Sequence, residues 1–150
     1  MINIDSDDEG IFTVGCAGGM RSDVTLPVRR TDCDFDSYRV KVSGFKGGHS
    51  GVEIDKGRVN ANKALVEIIS GIGEILVKDI RGGNADNAIP RSAECFVSAS
   101  AKEEILSLIP AFCEKHREAE SDISITVSDS FDTALYTAED SKNILSLINE

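Results

Sequence analysis

The sequence predicts an α+β fold: an antiparallel sheet with two helices on one face. Three observations carry this. Residues 38–45 alternate, with Tyr38, Val40 and Val42 on one side and Arg39, Lys41 and Ser43 on the other. That is the period of a half-buried strand. From Ala61 the period lengthens to that of a helix, with Leu65, Ile68, Ile69, Ile72 and Leu76 on one face. The same two periods then return in the second half of the chain. From Tyr38 to Ser130 the order reads β-α-β-β-α-β, the ferredoxin-like pattern.

Each element follows from its residues. IFTVGC and SDVTLPV, joined through CAGGM, predict an N-terminal β-hairpin over residues 11–29, with Pro27 suited to a sheet edge. The strand at 38–45 comes next, then a glycine-rich loop. In the first helix Gly71 and Gly73 each cost about 1 kcal/mol against Ala, and close packing on the sheet would be a reason to keep them. VKDIRGG at 77–83 is a short strand, and NADNAIPRS is a polar connection. In AECFVSAS, Ala93, Cys95, Val97 and Ala99 alternate with Glu94, Phe96 and Ser98. Ser100 and Glu103 form an S-x-x-E capping box. The second helix places Ile105, Leu108, Ile109, Phe112 and His116 on one face, and Pro110 inside it predicts a kink or a late start. DISITVSDS is the last strand, with Ile123, Ile125 and Val127 inward. DSKNILSLINE begins a further helix. The uncovered sheet face is left to solvent or a partner.

A chain of 150 residues suits one domain and buries roughly 70% of its unfolded surface. A net charge of −10 argues against binding a phosphate backbone or an anionic membrane. No apolar run reaches the roughly 18 residues of a membrane span, and the acidic start MINIDSDDEG is not a signal peptide. Cys16, Cys33, Cys95 and Cys113 form no CxxC pair, so they give no structural zinc pattern. Reduced thiols and a cytoplasmic location are expected.

The densest motif is KGGHSGVEIDKGRVNANK at 46–63. GGHSG lacks the lysine-serine pair of a phosphate loop. Val52 stands where a nucleophile elbow requires glycine, so Ser50 has no support as a nucleophile. Two readings of His49 stay open. It sits in a plain connection, or its imidazole donates a hydrogen bond to charge developing on a substrate oxygen, carried on a mobile glycine arm. DSDDEG at 5–10 starts like a calcium loop, but position twelve is Cys16, which supplies no bidentate carboxylate. Asn87 reads as a turn residue. Arg91 reads as a surface charge or a carboxylate clamp. His116 suits a helix C-terminus.

Taken together, INIDSDDEG, GGHSGVEIDKGRVNANK and NAIP resemble the lid region of Xaa-His dipeptidases, within the dinuclear-zinc exopeptidases. The resemblance covers most of the chain, and the GGHSG loop with its NANK continuation is its most specific part. It implies that His49 is the lid histidine that stabilises the tetrahedral intermediate, that Asn87 helps position substrate, and that Asp5 binds one of two zinc ions; Arg91, as a carboxylate clamp, would join Asn87 in binding substrate. It divides the chain into the end of a catalytic-domain strand (1–10), a connection (11–34), a ferredoxin-like lid or dimerisation domain (35–131) and a C-terminal helix or linker (132–150). The family's H-x-D motif, paired glutamates and final histidine ligand are absent; His49 and His116 are the two histidines present. The expectation is therefore a segment of a longer cytoplasmic hydrolase, inactive alone and binding no zinc by itself. Its partners would be its own catalytic domain, a dipeptide and a second lid. A different class also fits the residues, namely a free-standing ferredoxin-like binding or dimerisation module.

Overall fold

A computed structural model describes residues 9–11, 14–15, 20–32, 37–130 and 134–149. The strands are β1 (Arg30–Asp32), β2 (Ser37–Ser43), β3 (Gly48–His49), β4 (Val77–Gly82), β5 (Ala88–Ile89), β6 (Ala93–Ser98), β7 (Ser124–Ser130) and β8 (Ala134–Tyr136). The helices are α1 (Ala61–Ser70), α2 (Lys102–His116) and α3 (Ala138–Asn149). The main sheet has the order β4-β6-β2-β7, with every neighbour antiparallel. This is the ferredoxin-like order expected of β-α-β-β-α-β.

Alternation positions the core. Val40 pairs with Cys95 on one side and Val127 on the other. Val40, Val42, Cys95 and Val97 are fully buried, whereas Arg39 and Lys41 face out, Arg39 meeting the Glu94 carboxylate. On α1, Leu65, Val66 and Ile69 are fully buried, and the helix packs on β2, β4 and β6. Asn60 caps α1, its side chain accepting from the Asn62 amide at 2.9 Å and the Lys63 amide at 3.4 Å. Helix α2 packs on α1 and β7, with Ile105 and Phe112 buried.

Five expectations change. Residues 22–28 carry no strand pairing, so the second strand of the expected N-terminal hairpin does not form; residues 12–13 of its first strand and 16–19 of its turn lie outside the described residues. Val24 stays 77% exposed, because its alternating side chains meet no second layer. The N-terminal strand is instead β1, paired with β8. Helix α1 stops at Ser70, although Ile72 and Ile75 stay buried in the turn beyond it. A Cβ at Gly71 would lie 3.1 Å from Leu108, so the close packing there is against α2 rather than the sheet. The Ser100 capping box does not form: Ala99–Ala101 makes a 3-10 turn and Ala101 precedes α2 with no side-chain cap. Pro110 gives no late start, because α2 begins at Lys102 and runs through it, with the ring on an exposed face.

The third helix is tied to the N-terminal strand. The Asp140 carboxylate accepts from the Arg29 amide at 2.8 Å, the Arg29 guanidinium at 3.2 Å and the Thr137 hydroxyl at 2.9 Å. The buried Ser141 hydroxyl accepts from the Val77 amide at 3.1 Å, which fixes α3 to β4. The guanidinium, the Arg29 amide and the Thr137 hydroxyl hold the Asp140 carboxyl at about 2, below its usual 3.8. A folded value below the unfolded one gives stabilisation that is present above about pH 4 and lost as pH falls through about 2. In an NMR acid titration, the amide signals of α3 should hold down to about pH 4 and shift between about 4 and 2. Asp140→Asn should loosen α3 already at neutral pH.

Candidate functional site

The glycine loop is a built structure. Its two ends meet one carboxylate: Glu120, 2% exposed, accepts from the Lys46 amide at 2.8 Å and the Val59 amide at 3.1 Å. Between those ends β3 pairs with β5, setting His49 opposite Ala88 and Gly48 opposite the buried Ile89. The Ser50 amide donates to the Asn87 carbonyl at 2.9 Å. GGHSG and NAIP, nearly forty positions apart in sequence, thus form one surface.

The glycines permit close approach. Gly47 has φ +61°, and a Cβ there would lie 2.3 Å from the Arg91 side chain. Gly48 has φ +146°, and its Cβ would lie 2.4 Å from the Glu53 carboxylate. A side chain would be strained at both positions. The expectation of a loose arm is therefore replaced by a loop whose glycines let Arg91 and Glu53 pack against backbone.

His49 is held from three sides and exposed. Its amide donates to Glu53 Oε2 at 3.0 Å, and its carbonyl accepts from the Glu53 amide at 3.0 Å. Its Nδ1 accepts from the Gly51 amide at 3.1 Å and the Val52 amide at 3.2 Å. An imidazole with Nδ1 accepting carries its proton on Nε2 when neutral. Nε2 has no partner among the described residues, so the ring offers one N–H donor outward. The His49 amide, then Lys56 and Arg58, hold the Glu53 carboxyl below the usual carboxylate range. Glu53 Oε1 meets Lys56 Nζ and the Arg58 guanidinium, each at 3.1 Å.

Asn87 is exposed beside His49. Arg91 is exposed too, with its Nε donating to the Phe45 carbonyl at 3.3 Å. Asp5 lies outside the described residues. The His116 side chain turns to α1 and α2: its Nε2 is 3.4 Å from Glu67, and its ring meets Phe112 tilted, at 4.5 Å between centroids. Among the described residues no three His, Cys, Asp or Glu side chains come together as metal ligands. Burial pushes the Cys95 thiol up, away from the thiolate form that binds metal. The described residues therefore do not fit a zinc centre. A groove of about 590 Å³ between the turn after α1 and α3, lined by Ile72, Ile75 and Leu145, includes none of the site residues.

Residues 40–120 match the peptidase dimerisation domain of the M20 group. The chain belongs to that family. It is 35% identical over 161 residues to the cytosol non-specific dipeptidase of Escherichia coli (strain K12), a match covering 99% of this chain and 33% of that protein. The crystal structure of aminoacylhistidine dipeptidase from Vibrio alginolyticus superposes with a TM-score of 0.75 at 26% identity, over 83% of this chain and 28% of that one. The chain thus spans about a third of the curated relative it matches. The match contains β3, α1 and β5, so the paired loops belong to the dimerisation domain itself. Among the described residues no helix is long and apolar enough to cross a membrane.

Glu53 and Glu120 were not marked by sequence reasoning. Glu53, four residues after His49, is the spacing of one helical turn and offered a signal. Glu120 lies between two elements with no periodic pattern around it. Nitrogen NMR of the neutral His49 ring should show Nδ1 unprotonated and Nε2 protonated. A proton on Nδ1 would contradict the arrangement.

Proposed function

We propose that this chain is the lid and dimerisation part of a zinc-dependent, cytoplasmic Xaa-His dipeptidase, in which His49 stabilises the transition state of peptide hydrolysis. One observation carries the reading: an exposed imidazole whose Nδ1 is held by two amides, which leaves Nε2–H as a donor with no partner among the described residues. Membership of the peptidase dimerisation family and similarity to two dipeptidases support it.

The chemistry assigned to this chain is donation. As the scissile carbonyl becomes tetrahedral, its oxygen gains negative charge, and a preorganised N–H lowers that barrier without reorganising. Two backbone amides and Glu53 preset the ring. Asn87 contributes a second polar group on the same surface. The Arg91 guanidinium keeps its terminal amino groups for a substrate carboxylate, because among the described residues its contact is made through Nε, with the Phe45 carbonyl. Zinc would supply the Lewis acid of the whole enzyme. Asp5 is proposed as one ligand, with the remaining ligands in the catalytic domain. No step assigned to the described residues passes through the metal. The isolated chain is proposed to be inactive, and its lid to pair with a second copy.

In the whole enzyme, His49→Ala should lower kcat by roughly 10²–10³, with KM and zinc content little changed. Unaltered turnover would remove His49 from the reaction.

A further inference from the structure

We infer that Glu120 is a positioning residue for His49, a clasp that closes the loop from Lys46 to Val59. The inference rests on the reading of His49 as the donor. Glu120 lies in the turn between α2 and β7, far in sequence from the loop. Its amide donates to the His116 carbonyl at 2.9 Å, which fixes it to the end of α2. Its carboxylate is split between the loop ends, Oε2 accepting from Lys46 and Oε1 from Val59. Lys46 Nζ reinforces this by donating to the Ala119 carbonyl.

The geometry matters because a buried carboxylate requires hydrogen-bond partners, and the part-buried Lys46 and Val59 amides supply them. The strand pairing of His49 with Ala88 and the Glu53 contacts all lie between the two clasped amides. Removing the acceptor frees both loop ends at once, and His49 can then drift from its preset place. Misplacement of a catalytic group by about 1 Å can lower a rate roughly 10²-fold. A positioning loss lowers kcat and kcat/KM together, because the donation is made in the transition state.

Glu120→Gln keeps the shape of the side chain but presents an NH2 group to one of the two amides. In the whole enzyme, with peptide-resolved hydrogen exchange, it should speed exchange across residues 47–58 and leave β2 and the body of α1 protected. It should lower kcat roughly 10-fold to 10²-fold with KM and metal content little changed. Glu120→Asp, which keeps both acceptor oxygens, should recover part of that loss. Glu118→Gln, an exposed neighbour, should behave as the parent. If Glu120→Gln does not fold, Glu120→Asp carries the test: a lowered kcat at constant KM supports the clasp. A parental kcat in whichever Glu120 variant folds, beside a slow His49→Ala, overturns the clasp alone. An unaltered rate in His49→Ala overturns the underlying reading, and the clasp with it.

Discussion

Two amide groups, at Lys46 and Val59, meet the carboxylate of Glu120, and the shape of the surface around them follows from that meeting. Lys46 lies just beyond the end of β2 and Val59 just before the cap of α1. Holding these two points together closes the loop over the end of the sheet. The closed loop then presents a short edge, Gly48–His49, to Ala88–Ile89, and a two-strand ribbon forms. Without the clasp, that ribbon would rest on a pair of two-residue strands, too short to be stable alone.

The frame beneath makes the clasp possible. The ferredoxin-like order brings the start of β7 beside the end of β2, with Ser43 opposite Ser124. The α2–β7 turn that carries Glu120 therefore lies next to the place where the loop leaves. A Cβ at Gly44 would lie 1.8 Å from the Asp122 carbonyl, so only glycine lets the two segments pass this closely. Topology, a glycine and a buried acid thus act together, and the imidazole they support is held by backbone groups rather than by a catalytic aspartate. The loop also leaves Val52, whose amide meets the His49 ring, and Ile54 exposed.

Periodicity made the frame legible. Tyr38, Val40 and Val42 announced β2, and Leu65 and Ile69 announced α1, because both elements bury one face and leave the other to solvent. Where alternation occurred without a second layer to cover it, as at Val24 and Leu26, the expected strand did not form. Where a strand is short and polar, as in Arg30–Asp32, no pattern marked it. Helix ends did not follow the periodicity: α1 ends at the Gly71 cap although Ile72 continues its buried face, and a 3-10 turn stands where the box at Ser100 was expected. The site was legible where a motif was local, as in GGHSG and NAIP. Their pairing, and the acid that closes the loop, depend on residues brought together by the sheet, which no local spacing records.

The claim at the centre of this account is that Glu120 acts on the reaction through His49. A double-mutant cycle tests it most directly, by measuring kcat for the whole enzyme, each single alanine variant and the His49→Ala/Glu120→Ala pair. If Glu120 acts through His49, the double variant should be no slower than His49→Ala alone, because the clasp then has no donor left to place. Rate losses that multiply fully would mean that the two residues act independently, and would contradict the account.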